Sequence, residues 1–125
     1  MWGAAISHFA SLLDSLSHGF FDDPVFAPIL ARDLEDGQHR NSTGNPLYFT
    51  DAFFHRPEEL SQEFISAGFQ VELVAIEGPG WLAYDFDRLW NDPQQRERLL
   101  AAIRKVEAEP SALGASSHIM CIARK

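Results

Sequence analysis

The sequence predicts an α/β chain with a small three-stranded sheet and a helical excursion, and three observations carry that expectation. The runs FQVELVAI (69–76) and SSHIMCIAR (116–124) become apolar on both faces, the pattern of strands covered on two sides. The opening WGAAIS reads as a further buried strand. Four helix signals separate these runs, and the roughly 40 residues between 76 and 116 bracket one of them. The 125 residues fit one domain, 1–125, and 46% hydrophobic residues with ten Phe and three Trp imply an ordered, packed core.

After the first strand, Ser7 is placed to cap a helix in which Phe9, Leu12, Leu13 and Leu16 form one apolar stripe, ended by Gly19. Asp23 as N-cap and Pro24 at the first helical position predict a second helix, with Val25, Phe26, Ile29, Leu30 and Leu34 inward and Gly37 as terminator. Residues 38–54, QHRNSTGNPLYFTDAFF, mix turn formers with aromatic rings and hold no period. That is the pattern of a substrate-covering loop or of a packed irregular connector. HRPEEL opens a third helix: Pro57 suits its first turn, Glu58 and Glu59 favour the positive dipole end, Leu60, Phe64 and Ala67 face inward, and Gly68 stops it. Asp92, Pro93 and Gln95 begin a long helix with Leu99, Ile103 and Val106 inward and Pro110 as its limit.

The formal charge of −8, from ten Lys and Arg against eighteen acids, argues against nucleic acid or an anionic membrane as partner, since both require a basic surface. Cys121 is the only cysteine, so no internal disulfide is possible and a reducing, cytoplasmic setting is expected. Within an apolar strand its thiol reads as a small buried hydrophobe. No stretch approaches the roughly 20 apolar residues of a membrane span, and no signal peptide is recognisable. The histidines lack zinc-ligand spacing, and Asp85 and Asp87 lack the glycine and distal glutamate of a calcium loop, so no metal site is expected. No G-x-S-x-G elbow, P-loop or H-E-x-x-H motif occurs. Gly78, Gly80 and Ala83 spell G-x-G-x-x-A after a predicted strand. Pro79 removes a donor from any phosphate cradle, so the preferred reading is a tight turn that aims Trp81.

The remaining chemistry sits in loops and element ends: His39, Arg40, Tyr48, Phe49, His55, Glu77 and Trp81. Aromatic rings supply flat apolar walls, while His and Glu can hydrogen-bond or move a proton near neutral pH, the mixture of a small-molecule pocket. A hydrophobic core with satisfied histidines accounts for the same residues equally well.

The segments AAISHFASLLD, GQHRN, YFTDAFFHRPEEL, AGFQVELVAIEGPGWL and EPSALGASSHIMCIARK together resemble the C-terminal half of class I S-adenosylmethionine-dependent methyltransferases, along essentially the whole chain. The resemblance implies a partial Rossmann-like methyltransferase sheet made of the last three of seven strands, the final one antiparallel and inserted between the other two. It implies a helical lid insertion over residues 8–54, followed by helix-strand-helix-strand over 55–125. S-adenosylmethionine would be the cofactor and a small molecule the methyl acceptor. The family's glycine loop and ribose-binding acid belong to an N-terminal half with no counterpart here, so no cofactor-binding or catalytic residue is carried over, and no turnover is expected of the chain alone. A homodimer, strand exchange or a separately encoded N-terminal half would cover the exposed sheet edge. The alternative is a non-catalytic α+β ligand-binding or dimerisation module.

Overall fold

The computed structural model describes all 125 residues. The chain runs β1 (Trp2–Ile6), α1 (Ala10–His18), α2 (Ala27–Asp36), β2 (Gln38–His39), β3 (Ala52–Phe53), α3 (Pro57–Ser66), β4 (Gln70–Ala75), α4 (Phe86–Asn91), α5 (Pro93–Arg104) and β5 (His118–Arg124). Short 3₁₀ turns occupy Pro46–Tyr48, Gly78–Leu82 and Pro110–Ala115. The main sheet has the order β1-β5-β4, with β5 antiparallel to both neighbours, so β1 and β4 run parallel to one another. The final strand thus lies between the other two, as expected.

One sheet face holds the main core. Ile119 and Cys121 are fully enclosed, Ala123 nearly so, and Leu60 and Phe64 of α3 pack over them. Burial pushes the Cys121 thiol pKa up, as suits a small core hydrophobe. The helix comes close to Gly3: a Cβ there would lie 2.7 Å from Phe64 Cζ, so a side chain at this position would push the Phe64 ring aside. A second core lies within residues 10–54, where Phe26, Ile29, Leu30 and Tyr48 enclose one another.

Several expectations need correction. The sequence predicts strands covered on both sides, yet the face carrying Trp2, Ala4, Val74, Met120 and Ile122 has no buried residue, and Trp2 is 76% exposed. β1 is an edge strand: only its last residue finds a second neighbour, Ile6 accepting from His55 N–H at 2.8 Å. In α1 the apolar stripe is not the buried face; Ala10, Ser11 and Ser15 are buried while Leu16 is exposed, because the serines satisfy their hydroxyls internally. The second helix begins at Ala27, since residues 23–26 form a separate turn in which Asp23 accepts from Val25 N–H at 2.8 Å, leaving Val25 exposed. Ala67 is exposed rather than inward. Residues 38–54 hold a two-stranded ribbon, β2 with β3, rather than only irregular chain. Helix α5 stops at Arg104, and the short α4 before it, capped by Asp85, was not anticipated.

Candidate functional site

A cavity of about 200 Å³ opens where β1 ends and β5 begins, beneath residues 10–54. Ile6, Ser117 and His118 form its floor. Its walls are largely rings: Phe20, Phe26, Tyr48, Phe49 and Phe54, with His39 stacked on Phe54 at 4.7 Å and 11°. Phe26 meets Phe20 edge-on at 4.8 Å and Tyr48 at 5.0 Å, so the wall holds two ring clusters, Phe20 with Phe26 and Tyr48, and His39 with Phe49 and Phe54. Its other polar lining comes from Ser11 and Asp14.

Behind the wall lies a buried polar trio. Asp33 Oδ2 accepts from Ser11 Oγ and lies 2.8 Å from His39 Nδ1, and all three residues are buried. His39 Nε2 faces the Tyr48 carbonyl at 2.6 Å. Both ring nitrogens are therefore engaged within the protein, one by a carboxylate oxygen and one by a backbone carbonyl. Ser11 and His39 share one carboxylate oxygen and do not bond each other, so the trio is no nucleophilic triad. It fastens α1, α2 and β2 together behind the cavity. Tyr48 carries a second tie: its hydroxyl donates to Asp23, which holds the Asp23 carboxyl below the usual range and the Tyr48 phenol above its own.

Phe49 is strained. Its backbone sits at φ 64°, ψ −163°, a region essentially reserved for glycine that costs about 1–3 kcal/mol and persists only where surroundings enforce it. The enforcement comes from Asn41, whose Nδ2 donates to Phe49 O at 2.7 Å and Asn45 O at 2.8 Å. Asn41 N–H in turn donates to Asp51 Oδ1 at 2.9 Å. The result is a half-exposed ring held at the cavity mouth.

At the floor, Glu77 Oε2 accepts from Ser116 Oγ at 2.7 Å and His118 N–H at 3.0 Å, while Oε1 lies 2.5 Å from His118 Nδ1. Burial alone would raise this carboxyl, but these bonds outweigh it and hold Glu77 below the ordinary value of 4.5. The unfolded chain then binds more protons than the folded one, so the contribution is present above 4.5 and is lost as pH falls through the lower folded value. Glu77→Gln should flatten the decline of the urea midpoint between about pH 5 and pH 3. An unchanged slope would place acid sensitivity elsewhere.

Of the seven residues singled out from sequence, His39, Tyr48 and Phe49 line the cavity, while Glu77 grips His118 from behind. Arg40 turns away, donating to His39 O at 2.8 Å and Ala52 O at 3.0 Å, and so ties β2 to β3. His55 lies outside the cavity, 3.5 Å from Glu63. Trp81 is an anchor, its indole donating to Ala115 O at 3.0 Å. Sequence reasoning missed Ser11, Asp33 and Asn41; the available signal was an acid inside the apolar stripe of α2. No three His, Cys, Asp or Glu side chains converge as a metal-binding set, and no helix is long and apolar enough to cross a membrane.

Compared with known proteins, the chain matches no protein-family model, no curated protein and no solved structure.

Proposed function

We propose that this chain is the acceptor-side segment of an S-adenosylmethionine-dependent methyltransferase acting on a small molecule. The observation that carries the reading is the cavity's position: it opens at the carboxyl end of β1, beside an antiparallel strand inserted between two parallel ones, and open α/β sheets bind ligands at such strand ends. The sequence resemblance supports the same assignment.

The residues present do not fit the cofactor. In the glycine turn Gly78 N–H already donates to Ser116 Oγ, Pro79 has no N–H, and Ile103 fills the space where a Cβ on Gly80 would lie 2.4 Å from its Cδ1. On this reading a second polypeptide half holds the cofactor, pairing with the free edge of β1 and covering the apolar face of Val74, Met120 and Ile122. This chain's share is to bind the acceptor, orient it and exclude water.

The test fuses the glycine-loop half of a class I methyltransferase ahead of β1. The fusion is expected to bind S-adenosylhomocysteine in a calorimetric titration and to protect the outward β1 amides from hydrogen exchange. A homodimer of the chain whose β1 amides are already protected and indifferent to the added half would favour the second reading, the dimerisation module, which the exposed Trp2 edge also suits.

A further inference from the structure

From the lining of the cavity we infer its ligand class: a single-ring aromatic compound bearing a hydrogen-bond donor, of the phenol type, clamped by Phe49. The inference rests on reading this cavity as a small-molecule acceptor site.

Size sets the first limit. An apolar cavity of about 150 Å³ accepts benzene, and the 200 Å³ here leaves room for one ring and a substituent. Wall chemistry sets the second. Five aromatic residues and His39 line the cavity in stacked, tilted and T-shaped pairs, a wall that favours an aromatic guest over a saturated ring of equal size. Polarity sets the third. The Ser11 hydroxyl hydrogen is committed to Asp33, so Ser11 offers the cavity only lone pairs, and the Asp14 carboxylate likewise accepts. A donor on the guest therefore finds acceptors at Ser11 and Asp14, while the Ser117 hydroxyl and the His118 ring at the floor are open to either role. Both ring nitrogens of His39 are committed to Asp33 and Tyr48, so His39 contributes a wall and not a proton exchanger.

Phe49 completes the site. Its glycine-like backbone, enforced by Asn41, holds a large ring at the mouth where a relaxed residue would not put one. Strain of this kind collects at ligand clamps.

Phenol, anisole and cyclohexanol separate these claims by amide-shift titration of the intact chain, followed at Ser11, Phe49 and Ser117. Phenol is expected to bind with anisole and cyclohexanol each roughly fivefold or more weaker, the first for its missing donor and the second for its missing ring. Equal binding of all three would overturn the inference while leaving a small-molecule site intact. Binding by none would overturn both together. For the clamp, Phe49→Gly should raise the melting temperature and weaken phenol binding roughly fivefold or more, because it relieves the backbone and removes the ring. Phe49→Ala should weaken phenol equally without the gain in melting temperature. Wild-type phenol affinity in either variant would overturn the clamp.

Discussion

Asp33→Ala is expected to lower stability by about 2–6 kcal/mol, because two buried partners each lose an acceptor at about 1–3 kcal/mol apiece. For a chain of this length that corresponds to a fall in melting temperature on the order of 10–20 °C. Asp33 is fully buried, and its Oδ2 serves both Ser11 and His39. Without it, a hydroxyl and a ring nitrogen lose their acceptor where solvent does not reach. Truncating His39 as well should cost less than the two single changes added, because both remove the same contact. Strict additivity in that cycle, read from thermal melts followed by circular dichroism, would show that the pair is not coupled.

Gly37→Ala should destabilise by more than about 2 kcal/mol, for two separable reasons. Gly37 closes α2 at φ 72°, a left-handed conformation that costs an L residue about 1–2 kcal/mol. A Cβ there would also lie 2.3 Å from the Phe54 carbonyl oxygen, and that backbone cannot step aside because Phe54 N–H is bonded to Gly37 O at 2.8 Å. Gly19 is the matched control: it closes α1 at φ 75° with nothing near a would-be Cβ. Gly19→Ala therefore measures the conformational cost alone, and the excess for Gly37→Ala measures the clash. Equal shifts in urea midpoint would contradict the close approach of α2 to Phe54.

Helix ends were the most legible part of the sequence, since Gly19, Gly37 and Asp92 act through local backbone chemistry. Which face of a helix is buried proved less legible. In α1 the apolar stripe pointed one way while Ser11 and Ser15 went inside, an outcome decided by partners distant in sequence such as Asp33. Strand order came from family resemblance; periodicity supplied only the strands themselves. The two apolar faces of β5 were read correctly as apolar, but coverage depends on what packs there, and α3 covers one face only. The cavity was half visible. Aromatic density around 48–54 marked its wall, whereas the supporting bonds of Asn41 and Asp33 leave no local trace in composition.

The central position of β5 also sets a timetable. Every pairing that β1 makes within the main sheet is with β5, and the tie between Met1 and Ala123 joins residues 122 positions apart. The cluster of Phe26, Ile29, Leu30 and Tyr48 needs only nearby residues, so it can form while the chain is still being made. At about 5–20 residues added per second, β1 must wait on the order of ten seconds in the ribosome's vicinity with its apolar edge unpaired. Until β5 emerges, β1 has no partner in the main sheet, whereas every member of the Phe26, Ile29, Leu30 and Tyr48 cluster is already in place along the chain.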